Sequence, residues 1–459
     1  MMGLVDSLGD IPWSQAVNAA EYPSPSVDDD ADVYAAARAM LDEAAGYLGT
    51  AGGGDDLFYG GDISKWVKLH NTLIMRYNLT TGNYAAALAQ TNVIESAADD
   101  FEFKYGDQEL QPDTRHPWYG SDYTTSGANI YQSSWLMGHM AGSAEDYRNL
   151  FFDNWQPGTE ARLGDPRRKY YFYRQTWNTP GNDSPLYLSG AAYLFPLDFS
   201  NTNEDGETLQ CSLQLTPTHL QFTPDESTWC SNIGGYWGRA HGNDEGTPPD
   251  GFTRTASGVY PAGGSFDGNA DYTPFEAQFN SDGDYIGYVA SMDLLYPQAV
   301  GLGKGGAGAG IDPIYLASYV DFMKAEAYLA LGNSTDAATH YEAGMTKSIA
   351  KVQSFGSRDG SADNTFAPDA ADVAAWIASK VGEFNSAAAT SGLDAVGYPT
   401  AKDKMDLLGE QYFIAMYGGA GDAFNFIRRT GYPRTLARSL ATPTESGSFP
   451  RTILYPSGE

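Results

Sequence analysis

The sequence predicts a mainly α-helical fold in which tetratricopeptide-like helical hairpins pack against an irregular, loop-rich lobe with few short strands. Apolar residues recur at helical spacing in residues 1–104 and again after residue 313. Between these blocks, residues 105–312 are rich in Gly, Pro, Asn, Asp and aromatic residues, and this composition favours loops. At 459 residues the chain exceeds the usual size of one core, so two lobes or one extended helical array are expected.

We expect one domain over the whole chain, divided into four parts. Helical hairpins occupy 1–104 and 313–352, the irregular lobe occupies 105–312, and a C-terminal helical part occupies 353–459. A hairpin of this type cannot bury its apolar face alone and must stack on neighbouring units. The parts are therefore expected to pack on one another.

The first predicted hairpin lies near the N-terminus. A helix over 30–50 follows an acidic run at 28–30, which favours a helix N-terminus, and the next helix covers 63–80. Gly82 ends that helix, and a partner helix is predicted over 84–98. Two helices joined by a Gly-Asn turn, with small residues at their crossing, are typical of a tetratricopeptide-type hairpin.

A second hairpin has the clearer pattern. Pro313 is predicted to open its first helix, because proline is favoured in the first helical turn. Apolar residues follow at spacings of three and four until the turn at Gly332 and Asn333, and the partner helix reaches Val352. Further helices are predicted over 369–386 and 402–430.

The lobe contains a long loop, 235–267, which carries aromatic residues whose burial offsets the entropy lost on ordering it. Short strands are predicted over 169–174 and 192–197. The run GLGKGGAGAG at 301–310 contains a formal GxGxxG motif, but no clear strand precedes it and a proline opens the next helix. Nucleotide binding is therefore rejected, and the run is interpreted as a flexible lead into Pro313.

Charge and cysteine content limit the possible partners. The net charge is −31 and the pI is about 4.3, so nucleic acid, which requires a basic surface, is not expected as a partner. Neutral and cationic ligands remain open. Cys211 and Cys230 have no histidines at ligand spacing, so they are interpreted as a local disulfide or as two buried thiols, not as a metal site.

Motifs for catalysis and metal binding are weak. The sequence has no GxSxG, HExxH, Walker A or CxxC motif, and no two of its six histidines are placed at ligand spacing. No cofactor is expected. The oxygen-bearing residues Asp267, Asn269 and Asp271 alternate in a way that suits a structural calcium ion, but such residues also form turns on a solvated surface.

The segment RHPWYGSDYTTSGANIYQSSW, which follows the first hairpin, is the candidate for ligand contact. It places flat aromatic rings among small polar residues. Aromatic rings stack on the apolar face of a sugar while polar groups hydrogen-bond its hydroxyls, and this combination is typical of small-molecule sites. The alternative is packing between the lobes. The candidate ligand-binding residues are Trp118, Tyr119, Tyr123, Tyr131 and Trp135.

Several segments, in order along the chain, resemble the SusD/RagB-like family of nutrient-binding lipoproteins of the Bacteroidetes outer membrane. No single segment is a catalytic signature, but their ordered co-occurrence is specific. The segments are LGDIPWSQAVN (8–18), DLFYGGDISKWVKLHNTLIMRYNL (56–79), DPRRKYYF (165–172), the loop 235–267, YVDFMKAEAYLALGN (319–333), EQYFIAMYGGAGDAFNFIRRTGYPR (410–434) and FPRTILYPSGE (449–459).

The resemblance implies a SusD-like fold and a non-enzymatic function. Such a protein captures an oligosaccharide or a peptide at the cell surface and delivers it to a TonB-dependent, SusC-like transporter in the outer membrane. The lobe would hold the ligand, and the hairpins would meet the transporter. The family carries a lipoprotein signal and an acylated cysteine, which MMGLVDSLGDIPWSQAV lacks, and it usually continues past the YPS segment. A chain truncated at both ends is therefore expected, either a natural fragment or a trimmed chain.

Two other functions remain open. A glycoside hydrolase on helical hairpins predicts two carboxylates about 5–9.5 Å apart in an aromatic cleft. A tetratricopeptide-type scaffold that binds only protein predicts that Trp118 and Tyr119 are buried and that no pocket exists. The exposure of these two rings and the presence or absence of a cleaved product therefore distinguish the three functions.

Overall fold

The computed structural model describes most of the helical parts and selected segments of the lobe. Among the residues that the model describes, no helix is both long enough and apolar enough to cross a membrane. The described residues are 1–49, 54–120, 132–141, 164–172, 258–264, 266, 306–360, 367–395 and 397–436, together with short strands within 200–289.

Helices make up most of the described structure, and this confirms the predicted mainly helical fold with few short strands. The helices are α1 (Met2–Leu8), α2 (Asp30–Leu48), α3 (Ile63–Thr80), α4 (Tyr84–Leu88), α5 (Ser134–Ala141), α6 (Arg168–Tyr171), α7 (Ala317–Ala330), α8 (Ser334–Phe355), α9 (Ala370–Ser386), α10 (Lys404–Ala415) and α11 (Ala420–Thr430). The strands are β1 (Phe101–Lys104), β2 (Ser200–Thr202), β3 (Thr208–Gln210), β4 (Leu213–Leu215), β5 (Leu220–Phe222), β6 (Trp229–Asn232), β7 (Tyr236–Arg239), β8 (Glu276–Phe279), β9 (Tyr285–Val289) and β10 (Ile311–Tyr315).

The described strands form antiparallel pairs. Four of these pairs join neighbours in sequence, namely β2 with β3, β4 with β5, β6 with β7 and β8 with β9. The fifth pair joins β1 to β10 and brings the two ends of the segment 105–312 together. The lobe therefore leaves and re-enters the helical part of the molecule at one ladder.

The hairpin of α7 and α8 confirms the predicted Gly-Asn turn. Gly332 follows α7 with a φ of 77°, a left-handed conformation that glycine adopts without steric cost. The side chain of Asn333 accepts a hydrogen bond from the amide of Asp336 and so caps α8. Near the N-terminus, α2 packs on α3 and α3 packs on α4, as the sequence predicts for stacked hairpins.

The prediction that Pro313 opens a helix is wrong. Pro313 lies within β10, opposite Glu102 of β1, and α7 begins only at Ala317. A two-stranded ladder has two free edges, so a residue without an amide hydrogen is tolerated there. The alternating segment FEFKY at 101–105 supplies the partner strand that the local pattern around Pro313 does not reveal.

Two further predicted elements need correction. The helix expected over 84–98 ends at Leu88, because the chain then turns to insert Val93 and Ile94, both fully buried, into the core. The amide of Ile94 donates a hydrogen bond to Thr72 Oγ1 at 3.0 Å. The strand expected over 169–174 is instead the short helix α6 up to residue 171, and 192–197 lies outside the described residues.

The main hydrophobic core lies between the helical hairpins. α7 packs against α8, α10 and α4, and α8 packs against α9. Phe322, Tyr341 and Phe384 are fully buried there, and the rings of Tyr341 and Phe384 stack with centroids 4.6 Å apart. At the crossing of α7 and α8, the ring of Phe322 lies against Gly344. A small residue at this position therefore sets how closely the two helices approach.

We expect Gly344→Ala to destabilise the protein. The new Cβ would lie 3.0 Å from the ring of Phe322, and overpacking of this kind costs about 1–3 kcal/mol, more than the roughly 0.5–1 kcal/mol gained in helix propensity. Gly382→Ala in α9 is the matched control, because nothing lies within 4 Å of its Cβ position. It should stabilise the protein by about 0.5–1 kcal/mol. Urea unfolding measures both, and equal stabilisation by the two variants would rule out the tight crossing.

A second, aromatic core joins the lobe to the helical parts. The ring of Tyr171 stacks on Tyr260 and on Tyr417, with centroids 5.4 and 4.5 Å apart. Tyr260 and Phe266 belong to the loop 235–267, and both are buried. For these two residues, the predicted burial of aromatic side chains from the long loop is confirmed.

A buried ion pair connects the DPRRKYYF segment to two helices. The side chains of Asp165 and Arg167 have no exposed surface. Their two contacts are Nε to Oδ1 at 2.8 Å and Nη2 to Oδ2 at 2.5 Å. Arg167 also donates to Ser348 Oγ on α8 at 3.0 Å and to Gln411 Oε1 on α10 at 2.7 Å. The guanidinium group thus couples the segment to both helices.

Candidate functional site

Aromatic side chains form a continuous line where the lobe meets the helical parts. Phe103 contacts Tyr105, and Tyr105 contacts His116, with ring centroids 5.0 and 4.8 Å apart. Trp118 contacts His116 at 5.6 Å and Tyr417 at 6.0 Å. All four contacts are edge-to-face, which the ring quadrupoles favour. The half-buried side chains at this junction are named the aromatic face, which consists of Phe103, Tyr105, Trp118 and Tyr119.

The local sequence explains how the rings meet. Alternate residues of a strand share one side, so Phe103 and Tyr105 project together. The amide of Tyr105 donates to the carbonyl of Gly310 at 2.9 Å and extends the β1–β10 ladder by one residue. The following loop then closes, with the amide of Gly106 donating to the carbonyl of Thr114 at 2.8 Å. The chain therefore returns beside β1, and this returning segment carries Trp118 and Tyr119, the other two residues of the aromatic face.

A glycine-rich turn, 306–310, supports the aromatic face. Gly308 has a φ of 91°, and a Cβ at this position would lie 2.6 Å from the ring of Tyr119. Its carbonyl accepts a hydrogen bond from the amide of His116 at 2.8 Å. The carboxylate of Asp359 accepts hydrogen bonds from two successive amides of the turn, at 2.9 and 3.1 Å. Because of these contacts, residues 306–310 form a packed turn, and for these residues the interpretation of the glycine-rich run as a flexible lead is wrong.

His116 is buried beneath the face, and its hydrogen bonds define its protonation. Its Nδ1 accepts from the amide of Trp118 at 3.1 Å, so the proton of the neutral ring is on Nε2, which lies 3.5 Å from Asp312 Oδ1. Burial lowers the pKa of His116, because it disfavours the imidazolium. The hydroxyl of Tyr105 donates to Asp312 Oδ2 at 2.7 Å, and burial together with this contact raises the pKa of Tyr105 to about 12. Both rings are therefore neutral at pH 7.

Stability is expected to fall as the pH drops below the ordinary imidazole value of 6.5. Burial lowers the pKa of His116, and it lowers the pKa of His139 to about 4. The folded state thus keeps both rings neutral while the unfolded chain takes up protons, so this stability is present above pH 6.5 and is lost below it. Thermal unfolding at about pH 7.5 and about pH 5 measures the loss. Between these two pH values, His139→Gln should lose less thermal stability than the wild type, because it lacks one of the two buried imidazoles. An equal loss in both proteins would count against this origin.

The structure places the five predicted site residues differently. Trp118 and Tyr119 belong to the aromatic face. Trp135 is fully buried, with its ring packed against His139 and Phe413 at 4.3 and 5.3 Å, so it offers no ring surface to a ligand. Four predictions lie outside the described residues: ligand contact by Tyr123, ligand contact by Tyr131, calcium at Asp267, Asn269 and Asp271, and pairing of Cys211 with Cys230.

Four residues at the site were not predicted from the sequence: Phe103, Tyr105, His116 and Asp312. The alternation in FEFKY was an available signal for the first two, because a period of two predicts a strand with one side in common. Asp312 reaches the site only through the pairing of β1 with β10. No local pattern indicates that long-range contact.

A group of three exposed carboxylates lies near the N-terminus. Oxygen atoms of Asp10, Asp29 and Asp30 lie within 4.8 Å of one another. Asp10 accepts a hydrogen bond from the amide of Asp30 at 3.1 Å, and Asp29 accepts one from the amide of Ala31 at 3.0 Å. These contacts begin α2, and the group is therefore interpreted as helix capping.

Two family models match the ends of the chain. Residues 1–190 match a SusD-like family described as starch-binding and associating with the outer membrane. Residues 312–457 match the family described as SusD and RagB outer membrane lipoprotein. Among curated proteins, no sequence matches this chain.

Solved structures show the same fold. A SusD-like protein of Bacteroidetes AC2a aligns over 99% of this chain and 75% of its own, with 17% identity and a TM-score of 0.50. A SusD homologue from Bacteroides fragilis NCTC 9343 aligns over 98% of this chain and 74% of its own, with 15% identity and a TM-score of 0.51. At this identity the likeness concerns the fold.

Proposed function

The chain belongs to the SusD/RagB-like family, and from this premise we propose that it captures an oligosaccharide or a peptide and delivers it to a TonB-dependent, SusC-like transporter. We place it on the outer surface of the outer membrane, held by a lipid anchor in the full-length protein. The two family descriptions, starch binding at the outer membrane and outer membrane lipoprotein, support this location and this role.

The observation that carries the ligand-binding half of the proposal is the half-burial of the aromatic face. Trp118 and Tyr119 are each half-buried, and Trp118 packs against the second core. A sugar ring would lie against these rings, and its hydroxyls would donate to Asp312, whose side chain is 50% exposed. A scaffold that binds only protein predicts that Trp118 and Tyr119 are buried, so their partial exposure favours ligand capture.

The proposal divides the work between the two parts of the molecule. The lobe side would hold the ligand, and the surface of the stacked hairpins would meet the transporter. Opening of the protein as a lid on the transporter would then release the ligand inward. Binding would rest on stacking and hydrogen bonds, and no covalent step is part of it.

A glycan and peptide array tests this proposal, with analysis of the products formed from every ligand that binds. We expect binding without turnover. Cleaved products would favour the glycoside hydrolase instead, and binding of peptides alone would remove the carbohydrate from the proposal.

A further inference from the structure

We infer that the aromatic face selects oligosaccharides that are uncharged or carry amino groups, and that it rejects oligosaccharides with carboxylate or sulfate groups. Asp312 is the residue that sets this preference. The inference rests on the proposed function, because it takes the aromatic face as the place where a carbohydrate binds.

Asp312 lies among the rings of the face. It is opposite Phe103 in the β1–β10 ladder, it accepts the hydroxyl of Tyr105 at 2.7 Å, and it lies 3.5 Å from His116 Nε2. Half of its side chain is nevertheless exposed. An ionised carboxylate only accepts hydrogen bonds. It therefore pairs with the hydroxyl or ammonium groups of a sugar, whereas a uronate or sulfate group offers it no donor and repels it.

Among the described cations that contact residues of the face, Arg115 is ion-paired with a carboxylate and Arg358 is hydrogen-bonded to backbone carbonyls. Arg115 lies over the ring of Tyr119, but its guanidinium contacts both oxygens of Asp113 at 3.0 and 2.9 Å, and its side chain is only 10% exposed. Arg358 donates to the carbonyls of Ala309 and Tyr105. A bound anion would have to displace Asp113 before it paired with the guanidinium of Arg115.

The surroundings of the face add negative charge. The side chains of Asp113 and Glu109, on the loop that leads into the aromatic segment, are 48% and 69% exposed. The chain as a whole carries a net charge of −31. Charges within about 8–10 Å act on a ligand at physiological salt. Arg115 offsets one of these two carboxylates, so the three side chains together keep one negative charge, which disfavours an anionic glycan and attracts a cationic one.

The test is an array on which several sugar backbones are each present in neutral, amino-bearing, uronic acid and sulfated forms. We expect the neutral and amino-bearing glycans to bind and their uronic acid and sulfated counterparts to stay at background. Raised salt should weaken binding of the amino-bearing glycans more than binding of the neutral ones. Strong binding of the uronic acid or sulfated forms would overturn the inference while leaving the proposed function intact. Silence of every glycan would instead remove the carbohydrate from the proposed function, and it would overturn this inference as well.

Asp312→Asn then tests the assignment to this residue. The amide keeps the size of the side chain but removes its charge, so affinity for an amino-bearing glycan should fall by about tenfold, and that for its neutral counterpart by less. The matched control is Glu342→Gln, which removes one charge from an exposed position on α8. The role of Asp312 would be overturned if Asp312→Asn and Glu342→Gln lost equal affinity for the amino-bearing glycan. It would also be overturned if Asp312→Asn kept the ratio of affinities that the wild type shows for the two glycans. Circular dichroism establishes that both variants are folded.

Discussion

Asp165→Ala is expected to lower the free energy of unfolding by about 3–5 kcal/mol, because removal of one partner leaves the other charge of a buried ion pair uncompensated. The guanidinium of Arg167 is fully buried, and it donates to both oxygens of Asp165, at 2.8 and 2.5 Å. Its remaining partners, Ser348 and Gln411, are uncharged and do not neutralise it. Urea unfolding followed by circular dichroism measures the loss.

The same sequence spacing provides a matched control. Asp113 and Arg115 also form a two-oxygen contact between residues i and i+2, at 3.0 and 2.9 Å, but the side chain of Asp113 is 48% exposed. Exposed pairs contribute little to stability, so Asp113→Ala should cost far less than Asp165→Ala. Comparable small losses for both variants would mean that the pair of Asp165 and Arg167 is not buried in solution.

Trp118→Ala is expected to weaken oligosaccharide binding by about 30-fold or more, the loss typical of a hot-spot aromatic residue. Its indole is the largest ring of the aromatic face and is held edge-on by His116 and Tyr417. Calorimetric titration with the best ligand from the array measures the effect.

Trp13→Ala is the control for this loss. Trp13 is 38% exposed, and it lies in the N-terminal segment, where its amide donates to Asp28. Its removal should leave affinity unchanged. If the two variants bind with equal affinity, the ligand does not contact Trp118. Thermal unfolding of both variants separates lost binding from lost folding.

The helical hairpins could be predicted because their signals are local. The turn at Gly332 and Asn333 combines a left-handed glycine with a capping side chain, and both roles depend on residues a few positions apart. The helix starting near residue 84 was predicted too long because its end depends on distant contacts. Val93 and Ile94 leave the helical path to enter a core that other helices create.

The site could be predicted only in part, because some of its contacts also depend on residues that are distant in the sequence. Trp118 and Tyr119 are prominent within a short polar segment, and they lie on the aromatic face. Trp135 has the same local context, but it packs into the second core against His139 and Phe413. Local composition does not distinguish a ring that faces solvent from one that faces a core. The carboxylate of Asp312 reaches the rings through strand pairing across the whole lobe.

Hydrogen–deuterium exchange with and without a saturating oligosaccharide tests the central claim most directly, because it locates the ligand on the chain. We predict that the ligand slows exchange in residues 103–119 and 306–312, while exchange in the cores of α3, α7 and α8 stays the same. Slower exchange confined to the helical hairpins, with residues 103–119 unaffected, would contradict the assignment of ligand capture to the aromatic face.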